Sequence, residues 1–456
     1  MKIHCKKLIA LIAVAGLVPF AQSSTLEEIY QQALLNDHTY KAAQANLDAG
    51  RESVNLGRAD LLPKVNAQAS WENSTNEQTQ TNGMPPIASE SESDSTQSGY
   101  TISLSQSLFN MAVWYNFKQS KAAGNIAEAQ FGIAEQSLIV RSAEAYFEAL
   151  QAVDNLETSK AEENALSHQL EQTRQRFEVG LTAITEVHEA QAVFDSAMAE
   201  RLIAEGRLGI AFEALEVITG RPHYQLAPLK KELPVTPPTP ADRQAWVDMA
   251  LDSNFSLQIA SLNADVAKQK AKIQKAGHYP TVTGNISLSD YNTTGDRNTV
   301  DFEDDNQGNS IGITVSVPLF NGGAVSASRR KAANEFIAAR EQLNQKQRDI
   351  VQSTRSFHLT VTTSVTTVKA RSQAITSNQS ALEATQAGYD VGTRDLVDVL
   401  NAQRNLYRAQ RNYYDSLYAY VLSTLQLKQV AGTLSANDLT ELNNWLDANR
   451  TVSRSI

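Results

Sequence analysis

The chain has 456 residues, a formal net charge of −10, 20% charged residues and a single cysteine, Cys5. That acidity argues against nucleic acid and against a general anionic-membrane partner, and a cysteine ahead of the first apolar run leaves the rest of the chain without thiol chemistry. No stretch beyond residue 24 holds 18 uninterrupted apolar residues, which excludes a transmembrane helix and leaves a periplasmic protein, a released one or an outer-membrane β-barrel.

The first residues, Met1-Lys-Ile-His-Cys-Lys-Lys7, are basic, Leu8 to Phe20 is apolar, and Ala21-Gln-Ser-Ser24 is small and polar. This is the pattern of a signal peptide over 1–23, cleaved near Ser23 or Ser24. Its removal takes away Lys2, Lys6 and Lys7 and moves the formal charge from −10 to −13. The spacing then predicts a helix from Thr25, the N-cap, to Leu61, ended by Pro63. Val65 to Trp71 and Tyr100 to Phe109 alternate apolar with polar, so 62–109 reads as a β-hairpin, with the polar stretch Glu72 to Ser98 as a long flexible tip.

From about Met111 to Arg176 the pattern is helical. Ile126, Ile133, Val140 and Phe147 recur every seven residues, the period of a supercoiled seam. About 65 residues at 1.5 Å each make a rod of about 98 Å. A turn at Val179-Gly180 leads into a helix from Ile184 to Ile218, whose 3-4-spaced seam alternates large residues with alanine and is broken only by Arg201. Arg221 to Asp242 holds six prolines and reads as a linker.

The plan then restarts. A helix runs from Ala241 or Asp242 to Gly277, Pro280 ends it, and Thr281–Ser289 and Ile311–Leu319 form a second hairpin over 280–320 with an acidic tip. A second long helix spans Ala324–Ala387, followed by a turn and a helix to Val430. Phe177–Gln191 and Tyr389–Gln403 are the same stretch at an offset of 212 residues, pairing Gly180 with Gly392 and Gln191 with Gln403. The chain is therefore a tandem duplication: a first repeat over 24–220, the linker 221–242, a second repeat over 243–432, and a segment 433–456 with a short helix in Asn437–Leu446 and a disordered end. Each helix before a hairpin and the one after the turn together match the long helix, so they could stack end to end along it.

Four amphipathic strands cannot close a membrane barrel by themselves, because the smallest such barrels need eight. Three chains would supply twelve strands. A small sheet covered by helices in a soluble protein is the other reading of the same periodicity.

Val391-Gly-Thr-Arg-Asp-Leu-Val-Asp-Val-Leu-Asn-Ala402, Val179-Gly-Leu-Thr-Ala-Ile-Thr-Glu-Val187, Leu62-Pro63, and Leu-Phe-Asn at 108–110 and 319–321 resemble the TolC family of outer-membrane efflux channels, as does Gly432–Leu439. The resemblance covers essentially the whole mature chain. It implies a mainly α fold with a small antiparallel β part, and a homotrimer in outer-membrane lipid. Its 12-stranded β-barrel would continue as an α-helical tunnel crossing the periplasm. It implies docking on a periplasmic adaptor and an inner-membrane RND or ABC pump, to export drugs, bile salts or proteins. By the same resemblance, the tunnel end is closed by links from Arg394 to Thr185 and Glu186 and from Tyr389 to Glu186, with Gly180 and Gly392 as the turn glycines. Asp398 falls in a carboxylate ring at the pore constriction. The family's second ring aspartate is Asn401 here, which predicts three carboxylates instead of six and weaker cation selectivity. Taken alone, Arg394 and Asp398, four apart on a helix, also fit an exposed surface pair.

Enzyme chemistry finds little support. His188-Glu189 begins a zinc-protease motif, but residue 192 is alanine, and the other mature histidines lack ligand spacing. No nucleophile elbow, P-loop or GxGxxG is present, so no catalytic residue, metal or cofactor is assigned, and the energy for transport must come from a partner. Two functions are consistent with the chain: a passive export duct opened by partner-induced untwisting of the two turns, or a structural or adhesive periplasmic coiled coil with no conduit.

Overall fold

Proline-free tracts set the scale of the molecule. In the computed structural model, which describes residues 24–82, 87–230, 233–297 and 300–454, α3 (Met111–Glu178) and α7 (Ala324–Asp390) run unbroken for 68 and 67 residues. At 1.5 Å per residue each is a rod of about 100 Å. The proposed signal peptide, 1–23, lies outside the described residues. Before α3 come α1 (Leu26–Asn36), α2 (His38–Ala59), β1 (Lys64–Asn82) and β2 (Ile87–Phe109), and after it α4 (Ile184–Thr219). After β3 (Gln225–Leu226), the order repeats as α5 (Arg243–Ser253), α6 (Phe255–Ala276), β4 (Thr281–Arg297), β5 (Val300–Ser316), α7 and α8 (Leu396–Val430), and the chain ends with α9 (Ala436–Asn443) and β6 (Val452–Ser453).

The helix expected over 25–61 is two helices, and so is its counterpart in the second half. The breaks fall at Asp37 and Asn254, 217 residues apart. Each side chain leaves the helical pattern to cap the next helix: Asp37 accepts from the Tyr40 N–H at 2.6 Å, and Asn254 from the Leu257 N–H at 3.0 Å. Packing fixes both breaks. Asp37 also pairs with Arg141 of α3 at 2.8 Å, and the Asn254 amide donates to the Val430 carbonyl at 2.8 Å. The left-handed glycines that end α4 and α8 abut the same points: a Cβ on Gly220 (φ 73°) would lie 3.2 Å from the Asn36 Cβ, and one on Gly432 (φ 74°) 2.3 Å from the Ser253 carbonyl. Thus α4 ends beside the break between α1 and α2, and α8 ends beside the break between α5 and α6.

The four long strands form one antiparallel sheet in the order β1-β2-β4-β5. Directly opposite residues share a face. The register puts Val65 opposite Leu104, Ala67 opposite Ile102, Leu104 opposite Ile286, and Ile286 opposite Ile311, so one face carries an apolar band. The other face carries Asn66, Ser103, Ser287 and Ser310 in the adjacent rows. Exposure of Ile311 at 82% and Ile313 at 70% shows that no element among the described residues covers the band. The flexible tip expected over 72–98 and the acidic tip expected over 290–309 are instead paired strand, from Trp71 opposite Ser98 up to Asn82 opposite Ile87 in the first hairpin, and up to Arg297 opposite Val300 in the second. Ser and Thr suffice there because the backbone ladder supplies the hydrogen bonds and neither face needs burial. Sheet order sets helix order: α2, α3, α6 and α7 stand side by side below their strands.

Halfway along α3 the molecule thickens. Tyr146, Phe147 and Leu150 pack with Phe212 and Leu215 of α4, Leu425 of α8, Leu226 and Leu439, all at most 2% exposed. Two segments expected to be loose belong to this girdle. The proline-rich stretch buries Leu226 and Ala227, whose carbonyl accepts from the Tyr146 hydroxyl at 2.7 Å. The C-terminal residues expected to be disordered instead pair β6 with β3, and Arg454 reaches Glu213 at 2.9 Å.

Candidate functional site

Both long hairpins turn at the end remote from the sheet, and both turn the same way. Gly180 (φ 74°) lets the Leu181 N–H return to the Arg176 carbonyl at 2.8 Å, and Gly392 (φ 83°) lets the Thr393 N–H return to the Gly388 carbonyl at 2.8 Å. Val179, Leu181 and Val391 stand at least 70% exposed at the tips.

Just above the turns the hairpins share a small core of Leu170, Ala190, Tyr389, Leu396, Val399 and Leu400. Ala190 of the α4 seam and Val399 of α8 are almost fully buried in it. Arg201, the break in the α4 seam, is paired with Glu163 of α3 at 2.6 Å and with Glu205 at 2.8 Å.

Of the site residues, the structure brings together Tyr389 and Glu186. The buried Tyr389 hydroxyl donates to Glu186 at a long 3.5 Å, and burial raises its pKa above the usual tyrosine value. Arg394 does not reach Thr185 or Glu186 within the chain. It turns along its own helix to Asp398 at 3.3 Å, in an exposed i,i+4 pair. The Asp398 N–H donates to the N-cap Asp395 at 2.8 Å. Asn401 is exposed one turn further along, on the side of α8 that carries Asp398. Thr185 is exposed in the first turn of α4.

Two contacts at the tip were not read from the sequence. Arg176 lies over the Tyr389 ring, 4.8 Å from its centroid, so a cation covers the face of the ring whose edge carries the Glu186 bond. Arg174 ties the repeat residue Gln191 at 2.5 Å, linking α3 to α4. The other repeat glutamine, Gln403, is 9% exposed and its side-chain oxygen has no partner among the described residues. The Phe177/Tyr389 pairing across the repeat was the available signal, an aromatic three residues before each turn glycine, although only Tyr389 is buried and Phe177 stays 41% exposed. Farther up, Glu162 of α3 and Arg411 of α8 meet at 2.6 Å, a second tie between the two hairpins.

No group of three or more His, Cys, Asp and Glu side chains among the described residues is placed to hold a metal ion. No helix among them is long and apolar enough to cross a membrane.

The family described as outer membrane efflux protein matches residues 29–221 and 246–433. The chain is 37% identical to the outer membrane protein TolC of Vibrio cholerae over 451 residues, 97% of this chain and 99% of that one. It is 31% identical to the alkaline protease secretion protein AprF of Pseudomonas aeruginosa, over 90% of this chain and 85% of that one. The crystal structure of the Campylobacter jejuni CmeC outer membrane channel shares the fold with a TM-score of 0.72 at 17% identity, covering 92% of this chain and 90% of that one.

Proposed function

The chain belongs to the outer membrane efflux protein family and is an outer-membrane efflux channel, not an enzyme; from that premise we propose that three copies close a duct whose gate lies at the two helix turns. The observation that carries the trimer is the four-stranded sheet with an uncovered apolar face and two free edges, β1 and β5. An open edge in a bilayer leaves backbone groups unsatisfied, so the edges must meet those of other copies. Two copies would make eight strands, whose interior side chains fill. Three make twelve, the smallest closed ring of these chains that leaves a lumen.

Below the sheet, the same closure sets α7 of one copy beside the α2 and α4 column of the next. The Arg394 link to Thr185 and Glu186, which does not form within one chain, is then made to the neighbouring copy, while Tyr389–Glu186 ties the two hairpins of one copy. Asp398 faces the constriction with Asn401 beside it. Three carboxylates there give weaker cation preference and weaker block by multivalent cations than six would. The exposed apolar tips, Val179, Leu181 and Val391, are the surface offered to a periplasmic adaptor, which couples the duct to an inner-membrane RND or ABC pump. AprF is named for protease secretion, which supports protein export as one cargo class beside small molecules.

Ion conductance in a planar bilayer tests the gate. Wild type is expected to conduct weakly and Arg394→Ala strongly. Equal and large conductances would keep the channel and discard the gate assignment.

A further inference from the structure

The two ends of the sheet carry opposite charge. Across the strand extensions, described over 72–82, 87–98, 290–297 and 300–309, there are eleven acidic residues and one basic one, Arg297. Around the junction with the helices, residues 58–64, 107–121, 268–281 and 317–331, there are eleven lysines and arginines and one acid, Asp60, which is held by Lys64 at 2.8 Å. The apolar band of Val65, Ile102, Ile286 and Ile311 lies between the two. The chain's overall acidity conceals this separation.

Much of the basic charge is not used within the chain. Lys118, Lys121, Lys272, Lys275, Arg329 and Arg330 bond no carboxylate among the described residues. Three of them lie over aromatic rings instead: Lys118 at 5.4 Å from Trp114, Lys121 at 4.9 Å from Phe117 and Lys272 at 5.6 Å from Tyr115. Trp114, Lys118 and Lys121 share one face of α3 by their spacing. Leu319 is 93% and Phe320 85% exposed at the same level. All six cations lie within about 15 Å of the helix ends next to the sheet, measured along the helices.

Exposed Trp, Phe and Leu beside long cationic side chains, directly below an apolar band, are the residues that suit a membrane–water boundary, with the aliphatic stems in the apolar layer and the charges at head-group depth. We propose that this collar is a binding surface for anionic phospholipid head groups in the leaflet facing the periplasm. It rests on the outer-membrane channel reading above and adds to it a lipid preference and a side. Continuity with the apolar band favours a lipid over a protein partner, since a head group reaching the collar has its acyl chains against Ile313 and Val315. The acidic extensions at the other end repel the same lipids, so the charge also orients the sheet in the bilayer.

The test uses the full detergent-purified protein, incubated with equal amounts of phosphatidylglycerol and phosphatidylethanolamine and weighed by native mass spectrometry. Wild type is expected to retain phosphatidylglycerol preferentially, and less so as salt rises. Each basic side chain at an anionic surface is worth on the order of fivefold, so Lys118→Gln/Lys121→Gln/Arg329→Gln/Arg330→Gln is expected to reduce the preference by about tenfold or more. The control Glu303→Gln/Asp304→Asn/Asp305→Asn, at the far end, is expected to retain it. No preference in wild type, or the same preference in the collar variant, overturns the proposal. Loss in the far-end control overturns it by assigning the effect to net charge. Displacement by inorganic phosphate, against chloride of equal ionic strength, overturns it in favour of a free-anion site. Failure of wild type to insert into phosphatidylethanolamine vesicles would count against the membrane reading itself, whereas insertion without lipid preference removes the collar alone.

Discussion

The girdle and the tip are joined by the same helices and are held in different ways. At the girdle, α3 is enclosed by α1, α4, α8, α9 and the small β3–β6 sheet, with Tyr146, Phe147 and Leu215 at 0% exposure. At the tip, four helix ends share one modest cluster, the long Tyr389–Glu186 bond, the Arg174–Gln191 bond and an exposed ion pair. Burial of apolar area is worth about 25 cal/mol per Å², whereas an exposed pair is worth well under about 1 kcal/mol. The opening motion proposed above is therefore expected at the tip, with the girdle as its fixed end.

The sharpest way to break this contrast is in the girdle. Phe147→Ala should cost about 3–5 kcal/mol, since the ring is enclosed on all sides and leaves a cavity; a thermal melt of the purified protein reads it. A loss below about 1 kcal/mol would mean the girdle is not the rigid end.

Asp154 gives the next effect. It sits on α3 with Tyr418 of α8 donating to it at 2.5 Å, and burial, the largest cause, pushes its pKa up to about 6, with Glu157 adding to the rise and Arg450 opposing it. A carboxyl that is harder to ionise in the fold than in the unfolded chain, where its value is 3.8, stabilises fully below that value and loses its contribution as pH rises through about 6. Asp154→Asn should therefore flatten the stability profile between about pH 4 and 6 and stabilise the protein at pH 7.5 by up to about 2 kcal/mol, read as a higher melting temperature. An unchanged profile would place the carboxylate in a wetter site.

At the tip the expected stability changes are smaller and the functional ones larger. Tyr389→Phe removes a single long bond, about 0.5–1 kcal/mol, yet should raise single-channel conductance if the Glu186 link holds the gate. A conductance equal to wild type would assign Tyr389 to packing alone. Asn401→Asp should leave the melting temperature within error and strengthen both cation preference and block by multivalent cations, because it alters an exposed side chain at the proposed constriction. Unchanged selectivity in bilayer recordings would place residue 401 away from the ion path.

The lengths of α3 and α7 were legible because nothing in either tract can stop a helix, and the turns because only glycine adopts the required φ cheaply. Family membership was legible in the two turn motifs. The breaks at Asp37 and Asn254 were not, although both are good caps at matching repeat positions. A lone Asp or Asn inside a helical pattern is as often solvated as capping, and here Arg141 and the Val430 carbonyl decide. The extended strands were missed because Ser and Thr at Glu72–Ser98 look like loop when the ladder partner is unknown. Arg394 illustrates the same limit at the site: its charge and spacing to Asp398 are in the sequence, but which carboxylate it meets depends on where other helices and other copies stand.

By itself, then, the order of residues determined the duplication, the periodicity of each helix and strand and the side of the sheet that is apolar, since these depend on neighbours within a few positions along one chain. The tertiary structure alone decided that a proline-rich connector and the C-terminal residues close a girdle around Tyr146, and that opposite charges collect at the two ends of one sheet. Both bring together segments tens to hundreds of residues apart, and contacts at that range are chosen by packing and charge in space, which local pattern does not encode.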